Sequence, residues 1–408
     1  MSLNDIFGQR ASAGLRGLLL VLTAAAAAVV AVAPLASCGG GVGSGGTGSF
    51  ASGPITGFGS VIVGGVRFDD STASVEDGDG GRRSRDELRL GMTVEIDSSA
   101  ITTGATGSSG SSATARSIRF ESELAGLVGA VDVAGSSFTL LGQRVAVDAS
   151  TVFDDRLDGG LATLRVGQAL EVYAVYDAAG ARYRATRVEP SLLATGLRLR
   201  GPAAQVDTVA QTLRVGSTVY SYAGASGIPA NLAAGAFVRL RLALDILPTP
   251  RWVVQSFSTA LAALQDADGV KVEGLISAFT SASAFSVGGR PVDASSATFP
   301  TGTAGLAAGV RVEVEGLLRA GTLRASKVSI VSDDQVRDRG FEINGAITAV
   351  NLAQATIVLR GVTVSTARSD LRFDNGSAAN LVVGATVEVR GGLAADRRTL
   401  EATRIKFR

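Results

Sequence analysis

The nine residues LRLGMTVEI, at positions 88–96, decide how the chain is read. Their pattern, Leu-x-x-Gly-x-x-apolar-x-apolar, returns four times: LRVGQALEV at 164–172, LAAGAFVRL at 232–240, LAAGVRVEV at 306–314 and LVVGATVEV at 381–389. The glycines are Gly91, Gly167, Gly235, Gly309 and Gly384, spaced 76, 68, 74 and 75 residues apart. Self-similarity at a near-constant period marks a repeat architecture. After each glycine, apolar and polar residues alternate, which is the period of a strand. Leu-x-x-Gly then reads as a short turn into that strand. Its glycine must take φ > 0 or face a closely passing backbone.

Other segments keep step with the turns. Each copy opens on a glycine among alternating apolar residues: ITGFGSVIV from Ile55, AGLVGAVDV from Ala125, LRGPAAQVD from Leu199, VEGLISAFT from Val272 and INGAITAVN from Ile343. A second alternating run follows, such as SFTLLGQRVAVD ending at Asp148. A last one closes the copy, as in YRATRV at 183–188, LRASKVSI at 323–330 and LEATRIKF at 400–407. Apolar alternation over five to eight residues between glycine turns predicts strands. About five strands in a unit of roughly 70 residues predict a small closed or nearly closed barrel of OB-like kind, with a five-stranded sandwich as the alternative; closure removes the open edges that promote aggregation. The expected fold class is therefore all-β. Five tandem barrels occupy 54–122, 123–190, 191–262, 263–335 and 336–408. Units this small bury little core and have no disulfide to help, so neighbours are expected to pack together. Laid end to end, five domains each about 28 Å across would span at most about 140 Å.

ITGFGSVIVGGVRFD at 55–69, together with LRLGMTVEI, resembles the tandem bacterial envelope domain known as domain of unknown function 5666, and the first unit resembles it most closely. The resemblance extends over roughly 54–408 through the Leu-x-x-Gly segments, and the third unit departs most. It implies fold and location, and no activity.

The chain has 408 residues with 38 basic and 37 acidic side chains. Residues 1–37 hold Arg10, Arg16 and Asp5, so the remainder is neutral. That offers no electrostatic footprint for nucleic acid. Histidine is absent, which removes Ser-His-Asp and Cys-His nucleophile systems and the usual histidine metal sites. Cys38 is the single cysteine, so no internal disulfide or cysteine cluster forms and no cofactor or metal is expected.

Cys38 has a role of its own. GLLLVLTAAAAAVVAVAPLA at 17–36 carries no charge and follows a basic start, as an export signal does. Leu35-Ala36-Ser37-Cys38 resembles the lipobox of bacterial lipoproteins. The resemblance implies cleavage between Ser37 and Cys38 and a lipid on the Cys38 thiol, with Gly39 favouring the outer membrane. Residues 38–53 are predicted to form a flexible tether.

Candidate sites are few. Asp69, Asp148, Asp293, Asp154 and Asp374 recur at turns, where aspartate caps backbone N–H groups. EDGDGGRRSRDE at 76–87 places Asp77 and Asp79 at calcium-loop spacing, but Gly81, Leu88 and the adjacent arginines break the pattern, predicting a solvated hairpin tip. Trp252, Tyr220 and Tyr222 gather in the third unit and are the candidates for stacking on a glycan. The functional expectation is a non-enzymatic envelope lipoprotein whose barrels bind an envelope protein or glycan, or act as spacers. The alternatives are a glycosidase working with two carboxylates and an accessory subunit of an envelope complex.

Overall fold

The computed structural model describes residues 48–103, 110–193, 196–245, 251–258 and 266–408. Residues 45–408 group as one compact unit. Cys38, Ser37, the apolar run at 17–36 and most of the expected tether lie outside the described residues. Among the described residues no helix is long and apolar enough to cross a membrane.

Each Leu-x-x-Gly segment is a reverse turn locked onto the opening segment of its own unit, a continuous strand in four units and, in the fifth, the break at Ile347 between Phe341–Ala346 and Ala349–Asn351. Gly91 N–H donates to Ile55 O at 2.9 Å, and Ile55 N–H donates back to Met92 O at 2.8 Å. The same exchange joins Gly167 and Gln168 to Val128, Gly235 and Ala236 to Ala203, Gly309 and Val310 to Ile276, and Gly384 and Ala385 to Ile347. The five glycines have φ between 81° and 91°, which a type II turn requires at its third position. The leucine of the motif is buried in four of the five copies, anchoring the turn in the core.

The pairings close into rings. In the second unit Leu124–Asp132 pairs with Ser137–Leu140, which pairs with Gln143–Ala146. That third strand runs parallel to Arg182–Pro190, which pairs with Ala169–Asp177, and this returns to Leu124–Asp132. The order 1-2-3-5-4-1, with strands three and five parallel, closes a five-stranded barrel. Ala267–Ser281, Ala284–Val287, Arg290–Asp293, Arg311–Arg319 and Thr322–Ile330 close a second in the same order. The succession recurs over 197–258 and, with additional short strands, over 49–120 and 341–407.

The rings do not follow one another as beads. Leu124 and Ala125 pair with Leu199 and Arg198, so the second and third units share one ladder and one hydrophobic cluster. The first unit, however, pairs with the fourth and fifth. Ser49–Ser52 runs parallel to Gly269–Val272, and Gly57–Phe58 runs parallel to Glu342–Ile343. At Gly57 a Cβ would overlap the Glu342 carbonyl oxygen, so this contact requires glycine.

That pairing also corrects the extent of the tether. Ser49–Phe58 is one continuous strand. Phe50, only 3% exposed, sits in the fourth unit's hydrophobic cluster, with the Arg290 guanidinium 5.2 Å from its ring centre. A glycine-rich run is ordered here by one buried aromatic and two flanking ladders.

Charged side chains seal the seams. Arg67 pairs with Glu342, Arg290 with Glu95 at 2.6 Å, and Arg398 with Asp158 at 2.6 Å. The 76–87 hairpin tip is not simply solvated. Asp77 accepts the Asp79 and Gly81 N–H groups and Arg83, while Asp79 pairs with Arg239 at 2.8 Å and with Arg241. Both carboxylates that had calcium-loop spacing are thus held by arginines. The recurring turn aspartates close local turns: Asp69, Asp148 and Asp293 accept from Ser71, Ser150 and Ser295 N–H.

The first unit's turn docks on the second unit. A Cβ on Gly91 would overlap the Thr186 carbonyl oxygen, whereas no atom lies within 4 Å of one on Gly384. Gly384→Ala should therefore cost about 1–2 kcal/mol, the left-handed penalty alone. Gly91→Ala should lower the urea midpoint at least twice as much. Equal losses would mean the first turn does not seat on the second unit.

Candidate functional site

The strongest candidate is a cleft of about 990 Å³ between the first and second units, with the Arg360–Gly361 turn of the fifth at its rim. Its floor is the outer wall of the second barrel. Along Ala169–Asp177, Leu170, Val172 and Ala174 point into the barrel core, which leaves Glu171 and Tyr173 on the outside. The ladder register sets Glu171 opposite Glu189 and Tyr173 opposite Arg187.

Two glutamates directly across a ladder repel each other. Each is held by an arginine. Arg198 Nη2 donates to Glu171 Oε1 at 2.8 Å, and the Ser122 hydroxyl donates to the same oxygen at 2.6 Å. Arg187 Nε donates to Glu189 Oε2 at 2.7 Å, while its Nη2 reaches Asp154 at 2.6 Å. Burial raises the Glu189 pKa despite Arg187, with Glu171 and Asp154 adding to the rise. Burial pushes Asp154 up too, but the Arg156 hydrogen bonds and the charges of Arg187 and Arg156 outweigh it, and its carboxyl lies below the usual value.

Tyr173 is 2% exposed, and its ring packs with a cluster built mainly from the first and fifth units. No described residue hydrogen-bonds its hydroxyl, and it lines the cleft. Burial, with Glu189 and Glu171 nearby, holds its pKa well above the ordinary value. The phenol is a neutral donor.

A smaller cavity of about 90 Å³ lies where residues of the first four units meet. Glu123 lines it and accepts from Ala174 N–H at 2.8 Å, Thr93 Oγ1 at 3.4 Å and Arg200 at 3.3 Å. Burial pushes its carboxyl up to about 7, against the pull of Arg200 and Ala174 N–H, with Glu121 adding to the rise. This cavity joins the units.

The aromatics anticipated as a stacking surface are elsewhere. Tyr220 is fully buried at the seam of the second and third units, where it donates to Leu141 O and accepts from Gln143 Nε2, both at 2.7 Å. Tyr222 is also buried and donates to Asp207 O at 3.1 Å. Trp252 is half-buried against the same cluster. A closed seam with satisfied hydroxyls leaves Tyr220 and Tyr222 no face for a sugar. The five turn glycines are spread over five separate turns and form no common site.

Sequence reading passed over Tyr173, Glu171 and Glu189. One signal was available. The two outward positions of the fourth strand read Glu95 and Asp97, Glu171 and Tyr173, Arg239 and Arg241, Glu313 and Glu315, Glu388 and Arg390. Tyr173 is the only aromatic among ten residues that are otherwise charged.

Two outcomes follow. Tyr220→Phe should destabilise the chain by about 1–3 kcal/mol, because Gln143 and Leu141 lose a buried partner; an unchanged melting temperature would contradict the seam. The folded Glu123 keeps a proton that an unfolded glutamate, with a pKa of 4.5, releases. Its stabilisation is full below 4.5 and is lost as pH rises through about 7. Calorimetry should show stability falling over that window, by at most ~1.4 kcal/mol per pH unit from this group. Glu123→Gln should flatten the slope, and an unchanged slope would refute the assignment.

Comparison with known proteins adds three segment matches. No curated protein matches the chain. Among solved structures, "drosophila Unr CSD456" is 12% identical, covering 52% of this chain and 98% of that one with a TM-score of 0.15. Residues 125–189, 273–329 and 344–406 match the Domain of unknown function (DUF5666). These are the second, fourth and fifth units; the first, whose segments resembled the family most fully, is not among them and carries the added 76–87 hairpin. Each of the three matching segments contains one Leu-x-x-Gly turn.

Proposed function

We propose that this is a cell-envelope lipoprotein, cleaved before Cys38 and held in the outer membrane by lipid on that residue. Its five barrel units form one binding body with no catalytic role. The observation that carries the binding reading is the cleft itself. The charged groups of its floor, Glu171, Glu189 and Asp154, are paired with arginines, and the Tyr173 hydroxyl beside them has no partner among the described residues. A pre-formed concavity with a few convergent polar groups is the usual form of a ligand site. The compact grouping of residues 45–408 supports a binding body over an extended spacer.

A second reading is a glycosidase using two carboxylates. Glu171 and Glu189 favour it, since they face each other across a ladder in a concave site, and burial raises the pKa of Glu189 as an acid catalyst needs. Against it, each glutamate already neutralises an arginine. Hydrolysis of an oligosaccharide that disappears in Glu189→Gln would establish this reading over the first.

The anchor is tested by fractionation. Cys38→Ser should move the folded chain from the membrane to the soluble fraction. Retention in the membrane through the apolar run at 17–36 would replace the lipid anchor with an uncleaved helix.

A further inference from the structure

We infer that the cleft on the outer wall of the second barrel binds a neutral, hydroxyl-rich chain of the oligosaccharide class, with the Tyr173 hydroxyl and the outward oxygens of Glu171 and Glu189 as its recognition groups. The inference rests on the cleft being a ligand site and goes on to name what enters it.

At the ladder itself the charges are already matched, while Asp70, Arg85 and Asp155 line the cleft further out. Glu171 is matched by Arg198, Glu189 by Arg187, and Asp154 by Arg156 and Arg187. A cation or an anion entering here must compete with a partly buried pair, and breaking such a pair is costly. A neutral hydroxyl makes no such demand. It can donate to a carboxylate and accept from a phenol without displacing an arginine.

The remaining hydrogen-bonding capacity fits that chemistry. An ionised carboxylate offers about four acceptor sites. The bonds made by Glu171 use Oε1, and the Arg187 bond to Glu189 uses Oε2. Glu171 Oε2 and Glu189 Oε1 therefore remain as acceptors beside the unpartnered Tyr173 hydroxyl. The register fixes these groups on neighbouring rungs of one ladder, a spacing set by rigid strands. Phe58, Leu88 and Met92 lie beneath the same wall as part of the buried core. The volume, about 990 Å³, lies at the upper end of the roughly 300–1,000 Å³ common for ligand sites and suits a short chain better than a monosaccharide.

The site differs from the interior of a barrel, which here is filled by side chains. It also differs from the third-unit tyrosines, whose hydroxyls are already bonded, Tyr220 across the seam and Tyr222 to Asp207 O.

The test uses the full chain in mild detergent, titrated calorimetrically with three hexasaccharide probes: a neutral glucan, a polygalacturonate and a chitosan oligomer. The neutral probe should bind. Tyr173→Phe and, separately, Glu189→Gln should each weaken it at least 5-fold with the melting temperature checked, while Trp252→Phe should leave it unchanged. Binding of only a charged probe, weakened by Tyr173→Phe, would overturn the ligand class but keep the cleft. Binding of any probe that is indifferent to both cleft variants would overturn the cleft itself. So would the failure of all three probes together with unchanged hydrogen exchange over 169–190 at saturating probe.

Discussion

Everything in this fold depends on a pair of hydrogen bonds. The glycine N–H of each Leu-x-x-Gly turn and the carbonyl of the next residue exchange bonds with one residue of the unit's opening segment. The exchange needs a backbone with φ near +80° at the third turn position, and only glycine takes that without strain. It fixes where the fourth strand enters and how it registers on the first. With that register set, Val94 and Ile96, Val172, Val314 and Val389 all face inward. A slip of one residue would turn each of them outward.

Ring closure has a second consequence. Because the first strand is bound along one stretch by its own barrel, its remaining edge is free to pair beyond it. Ser49–Ser52 and Gly57–Phe58 use that freedom on two different barrels. Barrels of this size bury little apolar surface on their own. They merge cores instead: the second unit with the third, and the first with the fifth. Some outward positions of the fourth strand then meet other units. Their charges pair across seams, as Arg239 does with Asp79 and Glu121, and Glu95 with Arg290.

The cleft is a product of the same arrangement. Barrel interiors here are filled by side chains, so a ligand must use an outer wall. The second barrel presents one because the first and fifth units stand beside it and bury the ring of Tyr173 without supplying a partner for its hydroxyl.

The repeat, the strands and the turn glycines were legible in the sequence because they are local. Period-two alternation and a glycine at a fixed offset state the backbone conformation within a few residues. The turn aspartates were legible for the same reason, since Asp148 meets Ser150 two residues away. The partner of an outward-facing residue is not local. Asp79 on a hairpin tip has the same sequence signature whether it meets solvent or Arg239, 160 residues later. Tyr220 looks like a surface aromatic until Gln143 and Leu141 close over it. Phe50 lies in a run composed like a tether, and only the fourth unit's core makes it a strand. The alternation and the turn glycines, being local, were enough for the strands, the recurring unit and its closing turn. The tertiary structure decided which barrels touch, which charges are consumed in joining them, and that Tyr173 opens on a cleft, because those depend on contacts between strands far apart in the chain.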